Sequence, residues 1–333
     1  TGRRKQDGPS MILRRVIRQL SIPLAALHVS MAGCAQEKSG AADKPEFCSE
    51  LPRPGWASFE KLDAGDSWFE VYRLDDDLYA IAEPYQWQEV INYLIVGKDR
   101  ALLFDSGNGI GDIKAVVDRL TSLPVTALAS HSHLDHVGDH WRFDDVLAPD
   151  TPFTDERAKG LPNAIVREEA SKAALCASLP NGVTEENHHT KPFAPTARVG
   201  EGTRIDLGGV AFDVLAIPGH TPDSIALLDR ENGRLFTGDT YYKGPIWLFA
   251  PETDLSAYRV SIARLAALAP DLNAVYGAHN EPFSAPDELV KVRDGFEAVM
   301  AGAKEPAEIA DGRARYEFGT FELLMLEHHE RLP

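Results

Sequence analysis

The chain has 333 residues, 44% of them hydrophobic and 26% charged. That balance excludes a disordered, collagen-like or multi-span membrane protein and suffices to bury a large core without staples. With 51 acidic against 34 basic residues and a formal net charge of −17, the electrostatics count against nucleic acid or an anionic lipid face as the main partner.

Residues 1–33 carry the marks of an export signal. Arg14, Arg15 and Arg18 precede an apolar run from Leu20 to Val29, and Ser30-Met31-Ala32-Gly33-Cys34 follows. A basic stretch, a short apolar run and small residues before a cut site form that signature. The run is far shorter than the roughly 20 residues a membrane-spanning helix needs. The small residues before Cys34 resemble a bacterial lipobox. This implies that Cys34 is the lipidated first residue of the mature chain and that the lipid is its membrane attachment; a plain secretory signal cut nearby is the alternative. The expected location is the periplasm of a Gram-negative-type bacterium. Without residues 1–33 the chain keeps 28 basic and 50 acidic residues, a net charge of −22. Cys48 and Cys176 remain, and an oxidising compartment leaves both a disulfide and two free thiols open.

Residues 34–58, rich in Ala, Lys, Glu, Pro and Ser, predict a flexible tether, and residues 59–333 a catalytic domain. Alternating or apolar runs predict strands over 68–72, 78–81, 90–96 and 101–105, the last closed by the turn 106–109. Ile113, Val116, Val117 and Leu120 have helical spacing, and a strand over 125–129 runs straight into His131. Residues 139–200 differ in character. A helical stretch over 165–179, bracketed by Pro152, Pro162, Pro180 and Pro192, predicts an inserted lid. Beyond it, strands are expected over 210–217, 224–229, 234–236 and 274–276, helices over 255–268 and 287–300, and a terminal strand within 313–324. The acidic start of the 287–300 helix suits its dipole. Two strand-then-helix halves with ligand-type residues at strand ends predict an α/β fold, a four-layer αββα sandwich.

The chemistry concentrates in His131-Ser132-His133-Leu134-Asp135-His136. Four potential ligands in six residues, directly after a strand, can converge because a loop need not obey helical spacing. Neutral imidazoles and a carboxylate are the donor set of zinc and similar divalent ions. Downstream, Gly219-His220, Gly238-Asp239 and Ala278-His279 each follow a predicted strand, with a glycine or small residue permitting a tight turn. A polar loop with coincidental histidines explains this poorly, because five of the eleven histidines fall into the pattern.

This set, with Asp105 in Leu103-Phe104-Asp105-Ser106-Gly107, resembles the complete dinuclear motif set of the metallo-β-lactamase superfamily over roughly residues 65–300. The resemblance implies two divalent metal ions, expected to be zinc. His131, His133 and His220 would bind one, Asp135, His136 and His279 the other, and Asp239 would bridge them, with Asp105 behind the ligands. Such a pair holds a bridging hydroxide and polarises a carbonyl, and Asp135 would also orient the hydroxide. Asp239 separates the chain from zinc β-lactamases that carry cysteine or lack a bridging acid at this motif. It is similar instead to the branch of glyoxalase II, quorum-quenching lactonases and acyl-CoA thioesterases. The expected activity is hydrolysis of a small ester, thioester or lactone; an exported β-lactamase-type hydrolase and a non-catalytic metal-binding lipoprotein are the alternatives.

Tyr242, three residues after Asp239, is similar in spacing to the catalytic tyrosine of the lactonases, where it would donate to the developing oxyanion; a packed core tyrosine is the equal alternative. Tyr85 and Trp87 in residues 84–89, and Trp247 and Phe249 in residues 244–249, look like segments of proteins related to acyl-CoA thioesterases. They are candidates for an apolar wall against an acyl chain, or plain core aromatics. His140 receives no role, and His188, His189, His328 and His329 are expected to be solvated.

Overall fold

The computed structural model describes residues 44–329. The export signal, Cys34 and the first part of the expected tether lie outside the described residues. No described helix is long and apolar enough to cross a membrane.

Eight strands form the first sheet in sequence order: β1 (Glu60–Leu62), β2 (Glu70–Asp75), β3 (Leu78–Ala82), β4 (Ile91–Val96), β5 (Ala101–Phe104), β6 (Val125–Leu128), β7 (Asp145–Pro149) and β8 (Ala197–Val199). Pairing is antiparallel from β1 to β5 and parallel from β5 to β8. The second sheet takes β9 (Arg204–Asp206), β10 (Ala211–Ala216), β11 (Ile225–Asp229) and β12 (Arg234–Gly238). The chain then leaves it for β13 (Gly244–Leu248) and returns as β14 (Ala274–Gly277) and β15 (Phe283–Ser284), with β14 parallel to β12. A third sheet joins β13 to β16 (Glu308–Ala310), β17 (Arg313–Glu317) and β18 (Phe321–Leu326) in the order β13-β18-β17-β16.

Three apolar clusters give the layering. Tyr93 and Phe104 of the first sheet meet Phe212, Phe236 and Tyr276 of the second. Outside the first sheet lies helix α1 (Ile113–Leu120), whose Ile113, Val116 and Val117 pack on Leu94 and Leu103. The short helices α2 (Leu134–Val137), α3 (Pro152–Arg157) and α4 (Asn163–Val166) follow. Helices α5 (Leu255–Leu268) and α6 (Asp287–Met300) cover the second sheet through Tyr258, Ile262 and Phe296. The result is the expected αββα order. Asp112 and Asp254 cap α1 and α5 by accepting from Ala115 N and Ala257 N, which satisfies amides a helix start leaves open.

Four expectations need correction. Residues 44–58 are docked rather than tethering: Trp56 is buried, packs on Tyr72 with ring centres 4.4 Å apart and donates to Asn280 O, and Arg53 grips Glu89 with two nitrogens. Beside these corrections, Cys48 is bonded to Cys176, the alternative of the two that the sequence left open. The insertion is shorter than 139–200, because β7 and β8 belong to the first sheet. Both are brief, and β7 carries Asp145 and Pro149, which hides the alternation. The 165–179 helix breaks into α4 and two 3₁₀ turns, since the backbone of Ser171 is extended. Finally, the terminal segment is a hairpin, β17 and β18, turning through Gly319 at a φ of +89°.

Candidate metal centre

The ligand-type residues all sit at C-terminal strand ends. β6 delivers residues 130–136, β10 delivers His220, β12 delivers Asp239 and β14 delivers His279. Their donor atoms form three overlapping groups: His131, His133 and His220; His131, His136 and Asp239; and Asp135, His136 and His279. The first and third match the two expected sets, and the second puts Asp239 between them.

Each of the five imidazoles is held from behind by one ring nitrogen. His131 Nδ1 meets Ser130 Oγ at 3.0 Å, and His136 Nδ1 meets Asp105 Oδ2 at 3.0 Å. His220 Nδ1 donates to Trp247 O at 2.8 Å and His279 Nδ1 to Gln88 O at 2.6 Å. His133 is turned the other way, with Nε2 on Glu252 Oε1 at 2.9 Å. Two of the opposite nitrogens face each other and a third faces a carboxylate. His133 Nδ1 lies 3.1 Å from His220 Nε2, and His279 Nε2 lies 3.0 Å from Asp239 Oδ1. Outer partners of this kind fix tautomer and ring orientation at metal sites.

The donor set fits divalent cations. His131 Nε2 and His136 Nε2 are buried without a hydrogen-bond partner, although Asp135 Oδ2 and Asp239 Oδ1 stand 3.1 and 3.4 Å from the latter. No lysine or arginine among the described residues pairs with Asp135 or Asp239. Converging ring nitrogens and two carboxylates without a lysine or arginine partner are a donor set that suits a divalent cation. Burial pushes His131 well below the ordinary imidazole range and His220 down to about 4, so both present lone pairs at neutral pH. Burial works against ionised Asp239, yet His279 and His136 outweigh it and hold the carboxyl well below its usual range.

Asp105 sits behind this centre as expected, accepting from Ser130 N at 2.6 Å. Its φ of +69° is rare for a non-glycine residue, and Glu89 and Asn280, neighbours of Gln88 and His279, share that region. Backbone strain therefore concentrates around the centre.

The remaining candidates divide. Trp87 and Trp247 meet at 5.2 Å, and Trp247 and Phe249 at 4.9 Å, so three of the four wall residues form one strip beside His220. Tyr85 does not join it; its hydroxyl donates to Glu70 Oε1 at 3.0 Å and it packs against the first sheet. Tyr242 packs on His279 with the ring centres 4.6 Å apart, and its hydroxyl donates to Pro245 O, so its proton is engaged by the backbone. His188 is buried rather than solvated.

Sequence reasoning missed two acids. Glu252 bridges His133 and Arg157 of α3, and Glu169 of the insertion accepts from both Gln86 Nε2 and Trp87 Nε1. Neither lies in a motif, and only folding brings them to the site. The insertion thus contacts the centre through Arg157 and pins the Trp87 loop through Glu169.

With this geometry in view, comparison with known proteins is specific. The family model of the metallo-beta-lactamase superfamily matches residues 90–279. The chain is 30% identical over 219 residues to the acyl-coenzyme A thioesterase MBLAC2 of Gallus gallus, covering 60% of this chain and 76% of that protein. It is 29% identical over 150 residues to the hydroxyacylglutathione hydrolase GloC of Haemophilus influenzae, covering 44% of this chain and 63% of that protein. The sec-alkylsulfatase Pisa1 from Pseudomonas sp. shares the fold, with a TM-score of 0.54 at 18% identity over 70% of this chain and 42% of that one. The family match spans the strands that carry every candidate ligand, and this chain belongs to the metallo-beta-lactamase superfamily as one of its hydrolases.

Proposed function

We propose that the chain hydrolyses acyl thioesters at a two-metal centre built from His131, His133, Asp135, His136, His220, Asp239 and His279. The observation that carries the dinuclear reading is the pair of ligand groups joined through His131, His136 and Asp239. When bound, two divalent cations, zinc being the expected pair, would polarise the acyl carbonyl and lower the pKa of water toward 7. The chain's own residues do the rest. Asp135 and Asp239 offer carboxylate oxygens at the centre, and Asp135 keeps a second oxygen to accept a hydrogen bond from the attacking water. Trp87 and Trp247 shield one flank from solvent.

Two features favour a thioester over a lactone. The MBLAC2 relative is named for acyl-CoA and GloC for hydroxyacylglutathione, both thioesters. The Tyr242 hydroxyl is committed to Pro245 O, leaving no positioned acid for a departing alkoxide. A thiolate, with a thiol pKa of about 8.5, leaves without one. The Cys48–Cys176 bond suits an oxidising compartment and supports the export reading of residues 1–33. The test compares an acyl thioester with a homoserine lactone on the metal-loaded chain and its Tyr242→Phe variant. Thioester turnover should stay within about threefold in the variant; a hundredfold loss would return Tyr242 to the catalytic set.

A further inference from the structure

His279 is aimed by a backbone carbonyl: its Nδ1 donates to Gln88 O at 2.6 Å. The angle of that imidazole therefore depends on how the backbone of residues 84–89 is held. The contact is strained on both sides. Glu89, next to Gln88, has a φ of +47°, and Asn280, next to His279, has a φ of +66°. Non-glycine residues keep this conformation only where their surroundings enforce it.

Two segments far apart in sequence enforce it. The arm, residues 44–58, takes the strained residues themselves. Arg53 binds the Glu89 carboxylate through Nε at 2.7 Å and Nη2 at 2.6 Å, and Trp56 Nε1 donates to Asn280 O at 2.9 Å. The insertion takes the residues before Gln88. Trp87 N donates to Ala174 O at 3.0 Å and Cys176 N to Tyr85 O at 2.8 Å, while Glu169 Oε2 accepts from Gln86 Nε2 and Trp87 Nε1. The Cys48–Cys176 bond joins one holder to the other. The turn around Cys48, Glu46–Glu50, buries none of its residues, so the cross-link rather than packing anchors it. The outer partners of the other ligand set are Ser130 Oγ, Glu252 and Trp247 O. Among the described residues, none of these is hydrogen-bonded to the arm or to residues 169–176.

We propose that the Cys48–Cys176 bond is a redox-sensitive positioning device for one of the two metals. Its state sets the affinity of the site made by Asp135, His136 and His279, acting through Arg53, Glu89 and Gln88, and leaves the site of His131, His133 and His220 unchanged. The inference rests on the two-metal reading. Both cysteines are only partly buried, so a small dithiol reaches the bond. One of its sulfurs attacks a cysteine sulfur and the S–S bond breaks. Closure of the dithiol to its own cyclic disulfide then releases the other attacked sulfur, so two electrons and two protons pass to the chain as two thiols. Opening the bond frees the turn at residues 46–50 and loosens the grip on Glu89, and Gln88 O no longer fixes the His279 ring.

The test titrates zinc into the metal-free chain against a competing chelator, at a temperature where circular dichroism shows every form folded. Three forms are compared: the oxidised wild type, the wild type reduced by a dithiol that is then removed without oxygen, and Cys48→Ser/Cys176→Ser. The serine pair has no thiol of its own to bind zinc. His133→Ala identifies the event that belongs to the other ligand set. In the reduced and serine forms the His279 event should weaken about tenfold, the low end for loss of an outer partner, while the other moves less than about threefold. Arg53→Met keeps the cross-link and should weaken the same event. Added to the serine pair it should change little more, because both act through Glu89. Two events that neither reduction, the serine pair nor Arg53→Met shifts overturn the inference while the two-metal reading stands. Equal weakening of both events in folded chains also overturns it, since the cross-link would then be a general staple. A single zinc per oxidised chain overturns both the inference and the two-metal reading.

Discussion

Replacing Glu252 by alanine removes the acceptor 2.9 Å behind His133 Nε2 and strips Arg157 of its partner at 3.2 Å. His133 is the one site imidazole oriented through Nε2, so nothing else fixes its Nδ1 toward His220. Losing such an outer partner typically costs 10–100-fold in metal affinity, or about 1.4–2.7 kcal/mol. Glu252→Gln keeps an acceptor oxygen and loses only the charge, which His133 and Arg157 favour enough to hold the carboxyl down near 2. It should fall at the lower end of that range. The assay is titration of zinc into the metal-free chain against a competing chelator. In Glu252→Ala one binding event should weaken 10–100-fold while the other, at Asp135, His136 and His279, moves less than about threefold. Two unchanged events would refute the role assigned to Glu252. Equal weakening of both in a chain that remains folded would refute the division of ligands between the two metals.

Three other perturbations follow from the same geometry. A Cβ at Gly138 would fall 2.2 Å from Gly109 N and 2.4 Å from Gly107 O, backbone that cannot yield. Gly138→Ala should therefore destabilise by about 1–3 kcal/mol and lower metal content, by calorimetry and metal analysis; a normal melting temperature would contradict it. Cys48→Ser opens a link across a sequence separation of 128 and should cost about 2–4 kcal/mol, seen as a lowered Tm that reductant reproduces in the wild type. Burial pushes Glu83 up to about 7 despite donors from Trp68 and Asn108. Its folded pKa lies above its unfolded value of 4.5, so its stabilising contribution is complete below that value and is lost as pH rises through 7. The loss is at most about 1.4 kcal/mol per pH unit. Urea unfolding between those pH values should show a flatter slope in Glu83→Gln, and parallel slopes would contradict the argument.

The ligands were legible because loops after strands keep their donors close in sequence or beside a glycine, and α5 and α6 because their apolar spacing is regular. What escaped was decided by tertiary contact. Trp56 lies in a polar, proline-rich stretch and docks only because Tyr72 and Asn280 await it. β7 and β8 are too short and too polar to announce themselves, and their sheet partners alone define them. Residues 244–248 carried no strand signal of their own, and pairing with β18 makes them β13, with Phe249 just beyond its end. Glu169 and Glu252 carry no local signal at all, since their roles exist only against Trp87 and His133. The Cys48–Cys176 pairing needed the insertion folded back onto the 85–87 segment, where Cys176 N bonds Tyr85 O.

The central claim is tested most directly by thioester turnover in the metal-quantified chain, followed through the released thiol, with and without chelator. The account predicts about two metals per chain, turnover abolished by chelator and restored by added zinc, and no comparable activity on a carbapenem. Turnover that survives metal removal, or a carbapenem as the only good substrate, would contradict it.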